Sequence, residues 1–274
     1  MVWGYFMKVC LADVISEYVT AIYNNIRYHS GTSIGLATLL FNFQSYCDFA
    51  GYSLIAIGAA RVMGFRLMTN FRRPYFSLNI DEFWKRWHIS LSSWFLDYVY
   101  IPLGGSRVKY PRYLFNLFVT FLICGLWHGA DWTYIVWGAV FGLYVVIGKV
   151  WRKFVHKPEY KTALSRVLST VFCFALLVFV SIFFRANTLT DAFTIIGKIV
   201  TNHGPLFVDK SVFAYGFTAL AILCFKDIKD EFNWKCNFMH SKHIVVRYIS
   251  TVVLIAYIIL FGSYTGGQFI YFQF

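Results

Sequence analysis

Two histidines and one aspartate stand where ionisable side chains can do chemistry. His128 lies in Gly125-Leu126-Trp127-His128-Gly129-Ala130, closing one apolar run just before another begins at Trp132. An ionisable group at such a seam is costly to bury, which makes a functional role the first hypothesis. Gly125 and Gly129 remove side-chain bulk beside it and let a substrate or another helix come close. The plainer alternative is a turn histidine at a membrane surface, bonded to solvent. His88 sits among tryptophans in Phe83-Trp84-Lys85-Arg86-Trp87-His88. Its plainer alternative is an interfacial histidine bonded to a carbonyl. An imidazole is the side chain best matched to accept a proton near neutral pH. Asp48, in Tyr46-Cys47-Asp48-Phe49, also falls inside an apolar run. A carboxylate there faces a protein partner or a water-filled cavity. A structural role is preferred, through pairing with an arginine or capping a neighbouring helix, because no catalytic neighbour adjoins it in sequence.

The elements that must hold these groups are membrane helices. The 274 residues are 58% hydrophobic and 14% charged, against about 25% charged in soluble domains. A core alone does not absorb that much apolar surface, whereas a lipid-facing exterior does. Apolar runs at 34–60, 113–127, 132–150, 164–184, 211–225 and 244–261 approach the roughly 20 residues a spanning helix needs. Residues 1–23 are more mixed, with Lys8, Asp13 and Glu17. They read as a spanning helix with a polar face or as an interfacial one.

The net charge of +12 has a membrane explanation. If 34–60 runs inward, the basic residues gather in 61–112, 149–166 and 226–247, and the opposite side keeps little more than Arg27, Arg185, Lys198 and Lys210. That is the positive-inside pattern, with those loops cytoplasmic and Phe274 on the far side. Nucleic acid is not an expected partner, because the basic residues are dispersed between apolar runs rather than gathered on one polar domain. The six cysteines lie far apart, without metal-ligand spacing, and read as reduced and structural.

The segment 79–101 carries the most local information. Asn79 can cap a helix, with Asp81 and Glu82 in its first turn. Phe83, Trp84, Trp87, Leu91, Trp94 and Phe95 then recur at helical spacing. This predicts a helix at the interface, or one that dips in and returns. Trp84, Trp87 and Trp94 are expected to anchor it and hold His88 toward the interior. Ile101-Pro102-Leu103-Gly104-Gly105 predicts its stop.

The segment 83–105, Leu126-Trp127-His128-Gly129, and Phe49-Ala50-Gly51-Tyr52-Ser53 before Ala56-Ile57-Gly58 resemble the membrane-bound O-acyltransferases. Within these they look like the branch of alginate and peptidoglycan O-acetyltransferases. Phe183-Phe184-Arg185-Ala186 and the terminal Phe269-Ile270-Tyr271-Phe272-Gln273-Phe274 fit that branch, while Leu54 stands where it often has a polar residue. The resemblance implies an all-α, polytopic membrane fold over 1–274, with 79–101 as its interfacial or re-entrant segment. It also implies a multi-pass location in a bacterial inner or plasma membrane. The opening Val2-Trp3-Gly4-Tyr5 resembles an internal helix of longer members, so the chain reads as the C-terminal portion of one.

By the same resemblance His128 corresponds to the family's histidine and His88 to its second polar position. Trp87, Asp97, Asn116, Trp127 and Asp48 are the expected substrate-binding residues. The implied donor substrate is acetyl-CoA or another acyl thioester, with no bound cofactor and no metal. The implied acceptor is a polysaccharide hydroxyl or an extracytoplasmic acetyltransferase partner protein. A buried seam would keep water from hydrolysing the activated acyl group. The rivals are a non-enzymatic transport component, since intramembrane His and Asp also suit proton or substrate pathways, and an inactive fragment.

Overall fold

A computed structural model describes residues 1–155, 160, 162–210, 212–235, 238–239 and 241–264. Two features singled out above, Cys236 and the terminal Phe269–Phe274 motif, lie outside the described residues, as does the expected far-side position of Phe274. The chain is all-α among the described residues. In order come α1 (Val2–Tyr5), a π-helical stretch (Phe6–Ala12), α2 (Asp13–Tyr23), α3 (Gly31–Val62), α4 (Ile80–Arg86), α5 (Ile89–Phe95), a second π-helical stretch (Leu96–Tyr100) and α6 (Tyr110–His128). There follow α7 (Trp132–Phe154), α8 (Ala163–Arg185), α9 (Leu189–Thr201), a third π-helical stretch (Val212–Gly216), α10 (Phe217–Glu231) and α11 (Ile244–Phe261). Three of the six expected spans, α7, α8 and α11, are by themselves long and apolar enough to cross a membrane. Many of their large apolar side chains are exposed, among them Ile147, Phe172 and Val252. Such a surface suits hydrocarbon rather than water, and the protein is an all-α membrane protein.

The chain divides into two compact units, Met1–Thr69 with Lys198–Phe274, and Asn70–Gly197. In the first, residues 2–23 form a nearly continuous helix that packs along α3 and is among the most buried parts of the protein. Phe6, Leu11, Val19 and Ile22 have no exposed surface. This burial fits the expected helix with a polar face rather than an interfacial one. Its polar face is turned inward, where Lys8 Nζ lies 2.7 Å from Asp13 and 2.6 Å from Asp48. A Cβ on Gly4 would stand 2.6 Å from the carbonyl oxygen of Gly51, so two glycines allow the helices to touch backbone to backbone.

The second unit is built on the antiparallel pair α6 and α7, with α8 against α7. Gly125 and Gly138 meet there. A Cβ on Gly125 would lie 2.4 Å from the oxygen of Tyr134 and 3.1 Å from Gly138 Cα. The close approach anticipated at Gly125 is thus made by a helix.

The segment 79–101 is not one continuous helix. It breaks at Trp87, which is extended, and at His88, which is left-handed with φ 43° and ψ 56°. Asn79 does cap α4, accepting from the Glu82 N–H at 3.0 Å. α4 starts beside the C-terminal end of α7, where Asp81 meets Lys149 and Arg152. It runs toward the other end, where Trp84 packs on Phe141 and Trp137. α5 and the π-helical stretch return along α6. Phe95 packs on Trp127 at one level, and Asn116 Nδ2 donates to Gly105 O, 3.1 Å away, at the other. The segment is therefore a broken hairpin that runs in along α7 and back along α6. The expected stop at 101–105 is present, with Gly104 and Gly105 both at positive φ.

Candidate active site

The break at His88 is held by one residue from before the hairpin. Asn70 accepts at its backbone oxygen from the Ile89 N–H at 3.0 Å, and at its side-chain oxygen from the Ser90 N–H at 3.1 Å. Ser90 Oγ also lies 3.0 Å from that side-chain oxygen, and the Arg72 N–H donates to Arg86 O at 2.9 Å. Non-helical backbone inside a membrane protein survives only where protein satisfies it, and these bonds do so. A left-handed non-glycine residue costs about 1–3 kcal/mol and persists only when its surroundings over-determine it.

The same clamp holds the ring of His88. Its Nδ1 faces the side-chain oxygen of Asn70 at 3.3 Å. Ser90 Oγ lies 3.3 Å from the same nitrogen, so Nδ1 has two polar partners in the clamp. His88 is buried, at 8% exposure. Phe71 stacks on it, with ring centroids 6.3 Å apart.

His128 ends α6 and is half-buried in an aromatic collar. Trp127, Trp137 and Phe184 approach its ring edge to face at 5.0, 5.0 and 5.3 Å. Phe184 belongs to the Phe183-Phe184-Arg185-Ala186 motif, which the fold brings against the histidine. An aromatic chain links the surroundings of His88 and His128, from Phe71 to Trp87, Phe83, Phe141 and Trp137.

The other expected site residues divide. Trp87 is half-buried and stacks on Phe83 at 5.4 Å, and Trp127 forms one wall of the His128 collar. Asn116 is wholly buried, with its amide nitrogen engaged by Gly105 O and its side-chain oxygen without a hydrogen-bond partner among the described residues. Asp97 is exposed on the π-helical stretch. Asp48 belongs to the first unit, where Lys8 pairs with it. Of the three tryptophans expected as anchors, Trp84 and Trp87 are packed inside and Trp94 is 47% exposed.

A cavity of about 530 Å³ lies between the hairpin, α6 and α7. Its deep walls include Leu91, Phe95, Phe121 and Cys124, and its charged end holds Asp81, Lys85, Lys149 and Arg152. Asp81 is shared between Lys149, at 2.8 Å, and Arg152, so one carboxylate faces two cations. Trp84 lines the cavity, and its buried Nε1–H has no hydrogen-bond partner among the described residues. Trp84 is also part of the aromatic packing that reaches His128 through Trp137. Asn70, Ser90 and the Asp81 bridge were not anticipated from sequence. Asn70 and Ser90 stand 20 residues apart with no motif between them, and Asp81 offered only the signal of a helix-start charge.

Comparison with known proteins agrees with this architecture. Residues 1–186 match the model of the membrane-bound O-acyltransferase family, and the chain belongs to that family. It is 42% identical over 192 residues to the probable alginate O-acetylase AlgI of Pseudomonas aeruginosa, covering 69% of this chain and 35% of the relative. It is 35% identical over 201 residues to the peptidoglycan O-acetyltransferase of Helicobacter pylori, covering 73% and 38%. It is 29% identical over 210 residues to the teichoic acid D-alanyltransferase of Streptococcus thermophilus, covering 70% and 49%. The matched stretch is thus well under half the length of the first two relatives.

Proposed function

We propose that this chain carries the acyl-transfer site of a multi-pass bacterial O-acetyltransferase, which moves an acetyl group from a cytoplasmic thioester to a polysaccharide hydroxyl or a partner protein outside. The observation that carries this reading is that one aromatic cluster holds both histidines, His88 buried at the turn of the hairpin against Phe71 and Asn70, and His128 collared by Trp127, Trp137 and Phe184.

His128 is the general base. It takes the proton of the acceptor hydroxyl as the oxygen attacks the thioester carbonyl carbon. The C–S bond then breaks, and the imidazolium returns the proton to the leaving thiolate. His88, held at the hairpin turn by Asn70, orients the substrate or polarises the thioester carbonyl. The 530 Å³ cavity takes the donor, with Lys85 and Lys149 toward its phosphates and Trp84 Nε1–H toward a donor carbonyl. The basic loops 61–112 and 149–166 then face the cytoplasm, where the donor is made. Acetyl is preferred over D-alanyl because identity is higher to the O-acetylases, 42% against 29%.

The test is acyl transfer from a labelled thioester by membranes expressing the full reading frame. His128→Ala should lower transfer by about 10²–10⁴-fold at unchanged protein level. Near-normal transfer would remove His128 from the chemistry and favour a transport role.

A further inference from the structure

A second cavity, of about 550 Å³, lies between α7 and α8 on the other side of the Asp81 bridge. Asp81 and Arg152 line both cavities and form their common wall. The second cavity is mostly apolar, lined by Tyr144, Ile147, Trp151, Phe172, Cys173 and Leu176. Ile147, Trp151 and Phe172 are 59%, 56% and 67% exposed, and they sit on the two helices of this unit that are long and apolar enough to cross a membrane. The open side of the cavity therefore faces hydrocarbon, and an apolar chain fills it more favourably than water.

One end of the cavity is cationic. Lys149 and Arg152 share the single Asp81 carboxylate, which leaves a surplus positive charge. The guanidinium of Arg152 spends Nε on Gly148 O, at 3.1 Å, and Nη2 on Asp81. Its Nη1 carries two further N–H donors, and such a planar fork suits phosphate oxygens. Trp151 and Tyr160 supply amphipathic rings beside it, as at a headgroup level.

We propose that this cavity is a binding site for an anionic glycerophospholipid, with one acyl chain between α7 and α8 and the phosphate on Arg152. An anionic headgroup is preferred to a zwitterionic one because the site carries surplus positive charge. The lipid would bridge the two helices and brace the Asp81 bridge from the side opposite the first cavity.

Trp151 provides the reporter. The full-length protein is placed in bilayers of phosphatidylcholine containing phosphatidylglycerol, with bromine on the acyl chains of one lipid or the other. Brominated phosphatidylglycerol should quench tryptophan emission more than brominated phosphatidylcholine at equal mole fraction. That excess should vanish in Trp151→Phe. Arg152→Gln should weaken the phosphatidylglycerol response about tenfold, the effect of losing one charge-assisted hydrogen bond. Should Arg152→Gln fail to fold, the comparison of wild type with Trp151→Phe decides alone. Millimolar inorganic phosphate should leave the excess in place, and its abolition by phosphate would show a free-anion site and overturn the lipid assignment. Equal quenching by the two lipids, or an excess that survives in Trp151→Phe, would overturn it as well.

Discussion

The two units bury polar groups in opposite ways. In the first, Lys8 is clasped by Asp13 and Asp48, one cation between two carboxylates inside a helix pair. In the second, Asp81 faces two cations, and these groups line a cavity with the Trp84 N–H, which has no hydrogen-bond partner among the described residues. Charges that meet between packed helices make a scaffold, because they are spent on one another. Polar groups left with capacity beside a cavity make a site, because their remaining valence can go to a ligand. On this contrast, damage to the first unit should appear as lost stability, and damage to the second as lost activity.

Lys8→Met should break the contrast most visibly on the stability side. It strands buried carboxylates, and removing one partner of a buried ion pair costs about 3–5 kcal/mol. Thermal inactivation in membranes should come much earlier, while turnover per folded molecule stays near wild type. A normal melting temperature would mean that the triad is not what holds this helix pair. Trp87→Ala should do the reverse. Loss of its stack on Phe83 lets the His88 turn shift, and a displacement of about 1 Å at a catalytic group can cost about a hundredfold in rate. Unchanged kcat in that variant would detach the hairpin from the chemistry. Gly125→Val tests the frame of the second unit. A side chain there meets Tyr134 O and Gly138, and such overpacking costs about 1–3 kcal/mol, read as a lower melting temperature.

The long apolar runs were legible because length and composition alone define them, and 244–261 coincides with α11. The cap at Asn79 and the turn at Gly104-Gly105 were legible because their chemistry is local. The break at His88 was hidden. Aromatic spacing at 83, 84, 87, 91 and 94 continues through it, and its cause is Asn70, eighteen residues upstream of His88. The first helix reads two ways in sequence because Lys8 and Asp13 dilute its hydropathy, and only the fold shows that they pair. Of the site, the histidines could be named from sequence. Their convergence could not, since it depends on α4 running the length of α7 rather than lying across its end.

One measurement separates binding from chemistry at His128. His128→Gln keeps a polar side chain but cannot carry the proton. In membranes expressing the full reading frame, donor thioester binding should stay near wild type while acyl transfer falls by about 10²–10⁴-fold. Transfer close to wild type by stably inserted His128→Gln protein would contradict the general-base role of His128.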